Sequence, residues 1–143
     1  MPSGAMPRPA VLLVSGDADS AEMYAVGLSL GGFQPIVAAD APSLRSGLAH
    51  VPQAIVVDFT AGWQTGWELL AELRRRSDTR RTPVVLLADG REESVRVRSD
   101  TAGVTTLIAK PCLPDALVGA VRSALETPPA ATATDVGNSF RDR

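Results

Sequence analysis

The chain of 143 residues is poor in several of the groups that carry chemistry. Cys112 is the only cysteine, so no internal disulfide can form. His50 is the only histidine, which excludes a His-rich zinc site. Any Ser/His/Asp or Cys/His catalysis would have to run through it. It sits in "LAHVPQ", a helix-to-strand connection, where a solvated loop residue is the simpler account. No apolar run approaches the roughly 20 residues that cross a bilayer. The opening "MPSGAMPRPA" has no hydrophobic core of the secretory kind, so the expected location is the cytoplasm. A formal charge of −2 gives no overall pull toward nucleic acid or an anionic membrane. Lysine is scarce as well: of 14 basic residues all but Lys110 are arginine.

What is present is enough for one domain with a real core and too little for two. Strand-like and helix-like segments alternate. "AVLLV" (Ala10–Val14), "QPIVA" (Gln34–Ala38), "QAIVVDF" (Gln53–Phe59), "TPVVLLA" (Thr82–Ala88) and "TTLIA" (Thr105–Ala109) read as strands, mostly as unbroken apolar runs suited to burial on both faces. Asp19 or Ser20 is expected to cap a helix through Leu30 that stops at Gly31-Gly32. "DAPSLRSGLAH" predicts a short helix capped by Asp40 with Pro42 in its first turn. "WELLAELRRR" buries Leu69, Leu70 and Leu73 and places Arg74 to Arg76 where the helix dipole favours cations.

A fourth helix is expected over 91–103, with the weakest periodicity. A fifth runs from Pro114 to Glu126, burying Leu117, Val121, Ala124 and Leu125. Residues 1–9 read as a flexible lead, 10–126 as the domain and 127–143 as a disordered tail. Strict alternation implies a doubly wound α/β fold: a five-stranded parallel sheet with five helices on its two faces.

In such sheets ligands bind beyond the carboxyl ends of the strands. The residues there are Ser15, Gly16 and Asp17 after the first strand, Asp58 at the third, Ala88 and Asp89 at the fourth, and Lys110 at the fifth. A buried carboxylate and a buried ammonium are each costly alone, so an Asp58–Lys110 pair is expected.

From Ala10 to Glu126 the chain resembles the receiver domains of bacterial two-component response regulators, the single-domain chemotaxis regulators among them. "VVDFTAGWQTGWELL", "TPVVLLA" and "TAGVTTLIAKP" carry the resemblance, in order and at the right spacing. It implies a flavodoxin-like receiver fold, with Asp58 at the phosphoacceptor position, Gly66 before the next helix and Lys110-Pro111 at the family's Lys-Pro. It also implies a mechanism. An aspartate takes a phosphoryl group from a phosphohistidine on a kinase, while Mg²⁺ on an acidic pair, a lysine and a hydroxyl neutralise the moving charge.

On that resemblance the working set is depleted. The acidic pair falls on Ser15 and Gly16, the hydroxyl on Ala88 and the switch aromatic on Leu107. Asp17 and Asp19 are the candidate substitute metal ligands, against a simpler account as a helix cap and a solvated turn carboxylate. No metal or other cofactor is therefore expected, beyond Mg²⁺ through those two residues. For Asp58 and Lys110 the two accounts are an ion pair kept for structure and a live phosphoacceptor with its lysine.

Trp63 and Trp67 flank the site loop, Trp67 as part core and Trp63 as a contact residue. "RRRSDTRR" lacks interleaved aromatics and reads as a solvated face, not a nucleic-acid site. Cys112 reads as a small packed side chain.

The leading function is a stand-alone pseudo-receiver in two-component signal transduction, a non-enzyme working by protein–protein contact. Its partner is a histidine kinase or a downstream signalling protein. In the family the partner face is the fourth helix, fifth strand and fifth helix, here 91–103, Thr105–Ala109 and Pro114–Glu126, with a homodimer as a further arrangement. The alternatives are a functional phosphoacceptor modified on Asp58 within a phosphorelay, and a small-molecule binder at the strand ends. For the last, "SGDADS" offers one glycine and no phosphate loop.

Overall fold

The computed structural model describes residues 8–58, 64–88, 104–110 and 112–126. Nine elements follow in the order β1 (Ala10–Ser15), α1 (Ala18–Leu30), β2 (Gln34–Ala38), α2 (Ala41–Leu48), β3 (Ala54–Asp58), α3 (Gln64–Arg75), β4 (Val84–Ala88), β5 (Thr106–Ala109) and α4 (Pro114–Glu126). All strands are parallel and lie in the order β2-β1-β3-β4-β5. The doubly wound five-stranded sheet expected from the alternation is therefore what forms. The helix expected over 91–103 lies outside the described residues, as do Trp63, Asp89, Pro111 and the segment 127–143.

The unbroken apolar runs follow from burial on both faces. Val11, Leu13, Ala54, Val56, Val85 and Leu87 point to one layer, where they meet Ala21, Tyr24 and Leu28 of α1 and Leu117, Val121 and Ala124 of α4. Leu12, Val14, Ile55, Val57, Leu86 and Ala88 point to the other, against Leu44 and Leu48 of α2 and Leu69, Leu70 and Leu73 of α3. The two sheet edges lack such runs. β2 begins with exposed Gln34 and carries Pro35, which an edge strand tolerates because one side of its ladder is open. β5 has only four residues.

Most boundaries move by a residue or two, but α3 begins at Gln64, three residues before the expected Trp67, so Gly66 lies inside its first turn and not before the helix. β3 and β4 start at Ala54 and Val84, because Gln53 and Thr82 sit in the entry turns. A larger correction concerns the α1 cap. It is Asp17, not Asp19 or Ser20: its backbone is extended (φ −106°, ψ 110°) and its carboxylate accepts from the Asp19 N–H at 3.2 Å. Ser20 is the cap's partner, donating its hydroxyl at 2.8 Å. At the other end Gly32 takes φ +98°, and the Phe33 and Gly32 N–H groups return to Leu28 O and Ser29 O at 2.9 and 3.1 Å. This is a Schellman turn. In α2 the Asp40 cap is as expected, closed by Ser43 in a reciprocal box. α1 and α4 lie in close contact: a Cβ added at Gly31 would stand 2.6 Å from a Val118 methyl.

The basic run after α3 is not wholly a solvated face. Arg74 turns inward and donates to the carbonyls of Thr79, Arg80 and Thr82 at 3.2, 3.0 and 2.9 Å, so it stitches the α3–β4 turn together. Thr79 adds a 2.6 Å hydroxyl bond to Leu73 O. Between α2 and β3, exposed Val51 takes φ +53°, a region that costs a β-branched residue energy. Replacing Val51 by glycine should relieve that strain for little loss of packing. We expect a net stabilisation of about 1 kcal/mol, seen as a thermal midpoint several degrees higher. An unchanged or lower midpoint would show that the turn is not strained.

Candidate functional site

The parallel register brings the site together. Ser15 and Asp58 end neighbouring strands and stand opposite each other in the β1–β3 ladder. Lys110 leaves β5 one strand beyond β4, its own N–H donating to Ala88 O at 2.8 Å. From there the Lys110 ammonium donates to Asp58 Oδ1 at 2.7 Å. The pair expected from the cost of burying charge is present.

Asp58 is only 2% exposed, while the Lys110 side chain is 30% exposed and keeps contact with water. The second carboxylate oxygen is not open either. Ser15, equally buried, donates its hydroxyl to Asp58 Oδ2 at 2.9 Å. The same hydroxyl lies 3.2 Å from Asp17 O, but it has one proton, and the shorter bond to a charged acceptor is the stronger. In return the Asp17 N–H donates to Ser15 Oγ at 3.2 Å. Ser15, where the resemblance would expect an acid, thus stands as a hydroxyl donor to the aspartate.

Asp17 spends its own carboxylate on the cap of α1, and the Ser20 hydroxyl bond holds it below the usual carboxylate range. Asp19 is exposed in the first turn of α1. Gly16 offers no side chain, and a Cβ placed there meets no heavy atom within 4 Å. Among the described residues no group of three or more His, Cys, Asp or Glu could hold a metal. Mg²⁺ asks for several oxygen ligands in octahedral array. With both Asp58 oxygens engaged and Asp17 occupied as a cap, the described donors do not fit it.

Ala88 and Leu107, at the hydroxyl and switch-aromatic positions, sit on the α3 side of the sheet: Ala88 in its core, Leu107 half-buried against it. Trp67 packs there too, as part core. His50 is exposed in the turn after α2, before the amino end of β3, whereas Asp58 ends that strand. One residue beneath the site, Tyr24, was not singled out by the sequence. The Tyr24 hydroxyl, buried within α1's inner face, lies 3.7 Å from Cys112 Sγ. Burial above all, then the Cys112 contact and the negative field of Asp58, push its pKa up, so it stays a neutral phenol. Its only signal was the helical spacing of Ala21, Tyr24 and Leu28.

This fold and site define a receiver-type signalling module. Phosphate regulon transcriptional regulatory protein PhoB of Escherichia coli K12 is 34% identical over 116 residues, which are 80% of this chain and 51% of the relative. A signal receiver domain of a histidine kinase from Syntrophus aciditrophicus is 26% identical, with a TM-score of 0.72 over 82% of this chain and 90% of that one. Chemotaxis response regulator CheY4 of Vibrio cholerae superimposes with a TM-score of 0.74 at 22% identity, covering 82% and 99% of the two chains. No protein-family model matches. The chain belongs to the receiver domains of two-component signalling. It spans about half the length of the curated relatives it matches. Among the described residues no helix is long and apolar enough to cross a membrane.

Two measurements check this geometry. Lys110→Met leaves the Asp58 charge buried with only Ser15, and should cost about 3 kcal/mol in denaturant unfolding. Asp58→Asn removes the buried carboxylate charge and leaves an ammonium that already reaches water, and it should cost distinctly less. Equal losses would mean that the pair is not what holds the strand ends. Asp17 gives a pH signature. Its pKa is depressed in the folded state, so its contribution is full above the unfolded value and fades as pH falls through the folded one. Asp17→Ala should lower the thermal midpoint at neutral pH, and the gap to wild type should close in acid. A gap independent of pH would contradict the capping role.

Proposed function

We propose that this receiver domain signals by protein–protein contact, with Asp58 phosphorylated poorly or not at all. One observation carries the reading. Both oxygens of the Asp58 carboxylate are engaged inside the protein, by Lys110 at 2.7 Å and Ser15 at 2.9 Å, where an acidic pair would have recruited a cation. A carboxylate so held is a poor nucleophile, and among the described residues no cation besides Lys110 meets Asp58 to balance an incoming phosphoryl group. The residues then act in structural roles: Asp58 and Lys110 pin β3 to β5, and Ser15 closes the remaining bond. In this reading the protein is not an enzyme. It works beside its partner in the cytoplasm, where a lone unpaired thiol such as Cys112 is in keeping.

Exposed apolar side chains support action by contact. Leu30 and Leu113 are 85% and 74% exposed, and Met23 and Val26 line the same groove between α1 and α4. A histidine kinase or a downstream signalling protein is the partner class that the family suggests. Of the face formed in the family by 91–103, β5 and α4, only β5 and α4 lie within the described residues.

The second reading, a working phosphoacceptor, draws on the survival of Asp58 and Lys110 and on Asp17, which stands close enough to Lys110 to feel its charge. A titration separates the two. Tryptophan fluorescence is followed as Mg²⁺ and then an acyl-phosphate donor are added, and intact mass is read at the end. We expect flat emission and unchanged mass. The paired change Ser15→Asp and Gly16→Asp, for which the Gly16 site has room, should make emission respond to Mg²⁺. A phosphoryl mass on wild type that Asp58→Ala abolishes would establish the second reading in place of the first.

A further inference from the structure

At the opposite pole, by the amino ends of β3 and β4, a cleft of about 650 Å³ opens to solvent. Arg80 and Arg81 stand on its wall with the hydroxyl residues Ser77 and Thr82, and Pro83 and Leu125 give it an apolar side. Its charge is uncompensated. The lining acid, Asp78, is taken by Arg76, whose guanidinium meets both of its oxygens at 2.9 Å. Among the described residues neither the Arg80 nor the Arg81 guanidinium has an ion pair or hydrogen bond.

The segment that carries these arginines is held in place. Arg74 anchors the carbonyls of Thr79, Arg80 and Thr82 from beneath, and the Arg80 and Thr82 N–H groups close turns onto Arg76 O and Thr79 O at 2.9 Å each. Those bonds also occupy carbonyls after α3 that would otherwise repel an anion. Pro52 and Gln53, in the turn that enters β3, complete the lining.

We propose that this cleft binds a phosphorylated small molecule of mononucleotide size. Guanidinium and hydroxyl groups are the donors a phosphoryl group takes, arginine serving better than lysine, and Arg80, Arg81, Ser77 and Thr82 all line the cleft. The volume lies within the range of small-ligand sites, and the Pro83–Leu125 side suits a flat apolar body. A long polyanion fits less well, because the basic groups form one local cluster on a chain of net charge −2. The site is independent of Asp58 and stands whether or not that residue is phosphorylated.

The test uses the whole chain, with adenosine monophosphate and inorganic phosphate as probes, followed by amide NMR and calorimetry. We expect saturable one-to-one binding of the nucleotide below about 1 mM, with phosphate weaker, and shifts centred on residues 77–83. Arg80→Gln with Arg81→Gln should weaken binding at least about tenfold, while Asp58→Asn binds as wild type does. If the double variant loses thermal stability, Arg81→Gln alone carries the comparison. No saturation by about 10 mM, equal binding by the arginine variants, or shifts at Ser15 and Lys110 instead would overturn the proposal. So would binding of an acidic peptide or oligonucleotide without the nucleotide, since the cleft would then serve a macromolecule.

Discussion

Asp58 ends the middle strand of the sheet with its carboxylate almost out of water. A charge in that position is tolerated only with partners, and the partners come from both sides: Ser15 from β1 and Lys110 from beyond β5. The hydrogen bonds therefore depend on register. Ser15 faces Asp58 directly across the β1–β3 ladder, and Lys110 is set by the β4–β5 pairing, its N–H bonded to Ala88 O. A slip of one residue in either ladder would turn every side chain to the other face and leave the carboxylate bare. The apolar strands supply most of the driving force of folding, but they are interchangeable in chemistry. The buried Asp58 carboxylate, with its two partners, adds a chemical reason to prefer one alignment over its neighbours.

That asymmetry explains which parts of the structure could be read from the sequence. β1, β3 and β4 announce themselves as apolar runs because both their faces are covered, and parallel order follows from the helices between them. Asp40 and Pro42 mark α2 because capping is local, three residues reaching one turn. Asp17 was missed as the cap of α1 for the same local reason. Asp17, Asp19 and Ser20 lie within four positions, and only the backbone angle at Asp17 separates cap from first turn.

The site was legible in part. Asp58 and Lys110 stand out as a carboxylate closing an apolar strand and the chain's one lysine at a strand end, and burial forces them together. Ser15 read only as the loss of an acid; its positive role needs the register and the direction of one hydroxyl, and neither is visible in "VLLVSGDADS". Arg74 is the clearest failure. Inside an arginine-rich run nothing distinguishes the one side chain that turns inward, because its partners are backbone carbonyls with no sequence signature. Tyr24 is a lesser case, hidden as an ordinary inward helical position.

The two sides of Asp58 differ in what surrounds it. On the β4–β5 side, Ala88 and Leu107 bring apolar atoms to the α3 layer, so no hydroxyl or phenol there can exchange one hydrogen bond for another when charge at the site changes. On the β1 side the bonds continue. Asp58 receives from Ser15, Ser15 receives from the Asp17 N–H, and Asp17 receives from Ser20 and the Asp19 N–H at the start of α1. Contiguous hydrogen bonds do not by themselves make a signal path. They do mean that disturbing Asp58 would disturb the cap of α1 before it reached β5 through anything but Lys110. The helix so placed is also the one whose outer face, with α4, exposes Met23, Val26 and Leu30. Among the described residues the polar connections of Asp58 therefore run two ways: through Ser15 and Asp17 toward that helix, and through Lys110 alone toward β5.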